Sequence, residues 1–284
     1  MTTDDPLRDE ACVITGGASG IGLAMAHRFS ASGMSVVLAD IESAALKSAL
    51  AAWPGDPNKV HGVACDVRAP ADMARLRDEA LNRFGDIHIV CLNAGVAPTG
   101  PVLETPLAVW DWVFDVNVRG VVNGVNAFLP TLTERGRGHI VCTASAAGVT
   151  DTPTVTAYGA SKHAVVGIAS ALRGEIFGSG VGISVLCPGL IETRIFESER
   201  NRPTGMDDPS VDNVTTKLYR DLLATNGVSP NLVAGFVHRA VLEDQFFIFP
   251  TSDFDLGIEA RLGGIRQGLE WRDQVLASVS ASAP

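Results

Sequence analysis

Tyr158 and Lys162 set a phenol and an ammonium four residues apart in the chain, and residues four apart share one face of a helix. A free tyrosine titrates near 10, so only about 0.1% is phenolate at neutral pH, and a positive charge beside it favours the ionised form. The pair can pass a proton, although the same spacing also serves a solvated helix face. A second cluster lies upstream. Thr15, Gly16, Gly17, Ala18, Ser19, Gly20, Ile21 and Gly22 follow an apolar run at 11–14 and lead into an amphipathic segment. Glycines let backbone N–H groups approach a phosphate without a Cβ in the way, and a helix starting near Gly20 adds unpaired amides and the positive end of its dipole. Such a turn suits a dinucleotide pyrophosphate; in its plainer reading it joins a strand to a helix.

The elements that must position these groups are read from alternation. Apolar runs at 11–15, 35–39, 60–65, 87–92, 139–143, 181–187 and 246–249 are expected as strands, with longer helical patterns between them. Several runs are apolar throughout, as a strand covered on both faces requires. The expectation is an α/β fold: one doubly wound parallel sheet of about seven strands with helices on both faces. Long helices are expected from about 106 to 134 and from 158 to 177. The pattern breaks in the stretch 194–228, which holds Pro203, Gly205, Asp207, Asp208 and Pro209 before a helix-like segment at 211–223. A connection this long in a single domain reads as a lid or binding element. Ser229 and Pro230 restart a helix with cap and first-turn chemistry. Residues 1–250 thus form one domain including the lid, and 251–284 form an extension, helical at 258–275 and frayed over its last five residues.

Composition narrows the function classes. The chain has 284 residues, a net charge of −10 and no long basic run, so a nucleic-acid or acidic-lipid surface is not expected. Neither an apolar leader nor a stretch of about 18 apolar residues is present, which predicts a soluble, cytoplasmic protein. Five cysteines, Cys12, Cys65, Cys91, Cys142 and Cys187, sit within or at the ends of apolar runs, without a CxxC pair. They read as buried free thiols, and no metal site is expected.

With both clusters in one chain of this organisation, the sequence resembles the short-chain dehydrogenase/reductase family in its classical branch, over roughly residues 8–250. The resemblance runs in order through the glycine turn at 15–22, Asp40, Asp66 and Val67, Asn93 with Ala94 and Gly95, Asn117, Ser145, Tyr158 with Lys162, and Pro188 with Gly189. It implies a Rossmann-type sheet. It also implies hydride transfer between a nicotinamide and a secondary alcohol or ketone, with Tyr158 as general acid/base and Lys162 lowering its pKa and bonding the nicotinamide ribose. Ser145 then holds the substrate oxygen, and Asn117 anchors a water that relays the proton past Lys162.

By the same resemblance Gly16, Ser19, Gly20, Ile21 and Gly22 hold the pyrophosphate, Asp66 and Val67 meet the adenine, and Asn93, Ala94 and Gly95 run beneath the cofactor. Pro188 and Gly189 open the segment in which the Ile191 backbone and Thr193 hydroxyl meet the carboxamide. Asp40, about twenty residues past the turn, can accept from both adenosine ribose hydroxyls and repel a 2′-phosphate. Neither the turn nor Ile41 offers an Arg or Lys for such a phosphate, so the expected cofactor is NAD.

The leading expectation is an NAD-dependent oxidoreductase interconverting a secondary alcohol and a ketone on a largely apolar, bulky or aromatic small-molecule substrate, with an NADPH-dependent carbonyl reductase and a non-catalytic dinucleotide-binding sensor or scaffold as alternatives. The pocket is expected from 96–103, 148–157 and 194–219, apolar through Phe196, Met206, Leu218 and Tyr219, with Arg194 as its main fixed charge. An apolar stripe of Val211, Val214, Leu218 and Leu222 is expected to close over the site, ordering with ligand. The resemblance further implies a homo-oligomer, a tetramer or a dimer.

Overall fold

Cys12, Val13 and Ile14 are apolar at consecutive positions, so they bury completely only in a strand covered on both faces; all three are inaccessible in β1 (Ala11–Thr15). In the computed structural model, which describes residues 5–206 and 214–281, the same holds for β2 (Ser35–Asp40), β4 (Ile89–Leu92), β5 (Gly138–Thr143) and β6 (Val181–Leu186). With β3 (Val60–Ala64) and a two-residue β7 (Phe247–Ile248) they form one seven-stranded sheet in the order β3-β2-β1-β4-β5-β6-β7. Every pairing is parallel. The chain winds outward from β1 to β3 and then returns to β4 on the other side of β1. That reversal leaves a crevice beyond the carboxyl ends of β1 and β4, the place where such sheets bind ligands.

Helices cover both faces. α1 (Gly20–Ala31), α2 (Ser43–Ala51) and α8 (Pro230–Glu243) pack on one side around Met25, Phe29, Leu46 and Val237. α3 (Pro70–Phe84), α5 (Gly120–Arg135) and α6 (Thr156–Glu175) pack on the other around Leu76, Phe128, Leu132 and Val165. Phe29 and Phe128 are the largest wholly buried side chains, and truncating either to alanine would cost about 3–5 kcal/mol. α8 starts where Pro230 fixes the first turn, with the Ser229 hydroxyl accepting from Asn231 N at 3.2 Å. All five cysteines are buried free thiols, and among the described residues no helix is long and apolar enough to cross a membrane.

Three elements depart from the sequence expectation. The helix expected over 106–134 is α4 (Leu107–Phe114) and α5 joined by a π-helical turn, Asp115–Arg119. Within the stretch expected as a lid, a 3-10 helix (Ile195–Asn201) precedes α7 (Val214–Asn226), and the expected Val211 lies outside the described residues. The tail helix α9 (Asp255–Ala281) is longer than expected at both ends. It runs two residues into the segment read as frayed, whose last three lie outside the described residues.

Candidate active site

The glycine turn is shaped by contacts that exclude side chains. Gly16 has a φ of +62°, and a Cβ on Gly22 would overlap the Gly16 carbonyl and lie 2.8 Å from Asn93 Nδ2. Ser19 takes the N-cap position of α1 with extended backbone, and its hydroxyl makes no capping bond. The first amides of α1 therefore face the crevice with neither a capping oxygen nor an acidic side chain in the first turn, which suits a diphosphate. Asn93 ties three central strands together: its amide donates to Thr15 O at 3.1 Å, and its oxygen accepts from Thr143 Oγ1 at 3.2 Å.

At the end of β2, both Asp40 carboxylate oxygens receive backbone amides at 3.0 Å, one from Ala18 in the turn and one from Glu42. Burial is the largest influence on this carboxyl and raises its pKa against those two bonds. Each oxygen keeps a lone pair for a further donor. Asp66 is held by a bidentate contact from Arg68, with Nε 2.9 Å from one oxygen and a terminal nitrogen 2.7 Å from the other. Ile41, Val67, Ala94 and Gly95 line the same crevice.

Tyr158 and Lys162 lie in the first two turns of α6, and both line this crevice with Ser145. Ser145 ends the β5 run; its hydroxyl accepts from Ala147 N at 3.1 Å and lies 3.4 Å from the Pro188 carbonyl. Lys162 is 3% exposed, donates to Thr143 O at 2.8 Å and stands 5.6 Å from the centre of the Tyr158 ring. Burial pushes the Tyr158 pKa up against the lowering influence of Ser145, and burial pulls Lys162 down to about 8. The net direction for Tyr158 is thus opposite to the lowering expected from Lys162, because desolvation of the phenolate outweighs the influence of Ser145.

Asn117 sits in the π turn rather than in regular helix, and both donors of its amide nitrogen are committed. Its oxygen accepts from Val96 N at 2.9 Å, while its nitrogen donates to Val96 O at 3.0 Å and to Ser161 Oγ at 2.9 Å. The side chain thus fixes the strand-β4 loop. Gly95 gives the closeness its measure: a Cβ there would lie 3.3 Å from Asn117 Oδ1 and 3.4 Å from Lys162 Nζ. Beyond Pro188 and Gly189, an isolated bridge pairs Ile191 with Val228 through Leu190 O and Glu192 N. Ile191's own amide and carbonyl stay outside that bridge, and Thr193 stands against Gly20.

The apolar end of the crevice differs from its expected lining. Leu218 and Val214 are 55% and 86% exposed and do not face it. α7 instead turns Thr216, Tyr219 and Leu223 inward, because Thr216 bonds Thr99 at 2.6 Å and Tyr219 stacks on Phe196 with ring centres 4.7 Å apart. Met206 packs beside Trp112. Trp112, Leu223, Phe254 and Arg200, which the sequence reading omitted, line the crevice with Arg194 and Phe196. Trp112 belonged to an apolar helix pattern with no mark of a site, and Arg200 to a polar loop.

Comparison with known proteins agrees with this geometry. The short chain dehydrogenase family matches over residues 10–204. A 1-deoxy-11-beta-hydroxypentalenate dehydrogenase from Streptomyces exfoliatus is 39% identical over 250 residues, covering 87% of this chain and 85% of that protein. A C alpha-dehydrogenase from Sphingobium sp. strain SYK-6 is 31% identical, covering 91% and 86%. Among solved structures, a short chain dehydrogenase/reductase from Burkholderia phymatum in complex with NAD superposes with a TM-score of 0.87 at 32% identity, covering 92% of this chain and 96% of that one. The chain belongs to the short-chain dehydrogenase/reductase family, oxidoreductases built around a nicotinamide dinucleotide site.

Proposed function

We propose that this protein interconverts a secondary alcohol and a ketone with NAD as the hydride carrier. The observation that carries the reading is that Ser145, Tyr158 and Lys162 line one crevice with the glycine turn and Asp40. A nicotinamide dinucleotide bound there supplies the hydride acceptor or donor. The remaining work falls to the chain. The Tyr158 oxygen takes the hydroxyl proton in oxidation and returns it in reduction, Ser145 orients the substrate oxygen, and the Lys162 ammonium favours the phenolate. Asp40 accepts from the adenosine ribose and repels a 2′-phosphate, which supports NAD over NADP.

The substrate is bulky and apolar. Trp112, Val155, Phe196, Tyr219 and Leu223 line the crevice, and such a wall favours an aromatic or polycyclic body with one hydroxyl or carbonyl directed at Ser145 and Tyr158. The hydroxypentalenate and C alpha-dehydrogenases among the relatives support the same direction. A panel of secondary alcohols, from aliphatic to benzylic and polycyclic, mixed with NAD or NADP and followed by absorbance of the reduced cofactor, tests the reading. Turnover with NAD on the bulky members is expected; turnover confined to NADP, or to short aliphatic alcohols, would contradict it.

The working form is a homo-oligomer, tetramer or dimer. Leu103, Leu107 and Phe177 are 96%, 81% and 93% exposed on the described chain, and a closed symmetric assembly is the usual cover for such side chains. Light scattering is expected to give a multiple of the chain mass.

A further inference from the structure

The 3-10 helix Ile195–Asn201 is hydrogen-bonded to the body at two places, and those places straddle the glycine turn. In the middle of the 3-10 helix Ile195–Asn201, the buried Ser198 hydroxyl accepts from Ala97 N at 2.9 Å, in the loop that follows β4. At its end, Arg200 Nε and Asn201 Nδ2 each donate to one oxygen of Glu42 at 2.9 Å, just after β2. A second Arg200 nitrogen reaches the same oxygen at 2.8 Å. In the sheet, β2 and β4 flank β1, so the two fastenings lie on either side of the strand whose end carries Gly16–Gly22. Neighbouring strands are about 4.8 Å apart, and one short helix suffices to span them. Arg200 and Asn201 line the crevice together with Gly16, Ser19 and Asp40.

The two fastenings differ in kind. The Ser198 bond is buried and neutral, whereas Glu42 and Arg200 keep about a quarter and a third of their side chains exposed, within reach of water and salt. Arg200 is also held in place from its own helix, one nitrogen donating to Glu197 O at 2.8 Å and to Arg194 O at 3.2 Å. Its fork is therefore oriented before it meets the carboxylate, which lowers the entropy of making the contact. The Glu42 end is the one that can open without breaking the core.

We infer that Glu42 latches the 3-10 helix Ile195–Asn201 across the adenosine half of the cofactor crevice and so sets how long the dinucleotide stays bound. The inference rests on the proposed dinucleotide site, and gives Glu42 and Arg200 a positioning role outside the chemistry. A ligand lying on the glycine turn leaves when the latch parts, so its departure is slowed by the fraction of time the latch is closed.

The test is a stopped-flow chase of bound NADH with excess NAD, read by NADH fluorescence, on the full-length wild type, Glu42→Ala, Arg200→Gln and the double variant, each first checked by thermal melting. Release about tenfold faster in each single variant, with no further gain in the double, is expected for two residues acting as one contact. Raising the salt should speed release from the wild type and leave Glu42→Ala unchanged, a response that a purely structural residue would not give. Release within twofold of wild type in both single variants, effects that multiply in the double, or a wild-type rate indifferent to salt would overturn the latch. A wild type that binds no NADH would overturn the dinucleotide site beneath it, an outcome distinct from binding with an unaltered release rate.

Discussion

The Lys162 ammonium donates to the Thr143 carbonyl at 2.8 Å and stands 5.6 Å from the centre of the Tyr158 ring. The lysine is thus anchored at the end of β5, one helical turn from the phenol, close enough to act on it by charge without a direct bond. Lys162 is buried and Tyr158 half-buried, and desolvation lifts the tyrosine and brings the lysine down to about 8.

Removing the ammonium takes away a positive charge 5.6 Å from the ring centre and leaves the desolvation of the phenol opposed by Ser145 alone. For Lys162→Met, the pH at which alcohol oxidation rises to half its maximum should move up by about one unit or more, with kcat reduced at neutral pH. A pH–rate profile checks this; an unmoved limb would remove Lys162 from the control of Tyr158.

Asp40→Ala removes the carboxylate to which we assign the adenosine ribose and leaves the Ala18 amide without its acceptor. NAD affinity should fall about tenfold or more, and discrimination against NADP should narrow. Competition of the two cofactors in wild type and variant reads both effects. A wild type that prefers NADP would reverse the reading of this strand end.

His139 is 4% exposed, bonds Ser184 Oγ at 2.8 Å, and is pulled down to about 4, chiefly by burial and secondarily by repulsion from His88. An unfolded histidine takes its proton near 6.5. Between those two pH values the unfolded chain binds more protons than the folded one, so stability is full above the upper value and is lost as pH falls toward the lower. The loss should approach about 3 kcal/mol. Thermal melts from about pH 7 down to about pH 4.5 check it, and His139→Gln should flatten that slope.

Much of the fold was legible because its cause is local. Strand runs such as Cys12, Val13 and Ile14 must be buried on both faces, and Ser229 with Pro230 announces a helix start in two residues. The residues of the candidate site were legible as ordered motifs, since a turn that holds diphosphate and a pair that moves a proton each need particular side chains at fixed spacing. What was not legible depends on contacts between distant segments. The π turn at Asp115–Arg119 places Asn117 where it grips Val96, and no apolar period records such a turn. α7 shows the face carrying Thr216 and Tyr219 rather than that carrying Val214 and Leu218, because Thr99 and Phe196 hold it so. The pairing of Arg200 with Glu42 joins positions 158 residues apart in the chain, a relation that only the folded chain creates.

The central claim is that the Tyr158 oxygen carries the proton in an NAD-dependent oxidation, and Tyr158→Phe isolates that oxygen. The measurement is kcat on the best secondary alcohol of the panel beside the NADH dissociation constant of the same preparation. Turnover should fall about a thousandfold or more while NADH binds within about threefold of wild type, since the ring still packs and only the proton carrier is gone. Turnover within tenfold of wild type, with NADH bound as before, would contradict the account.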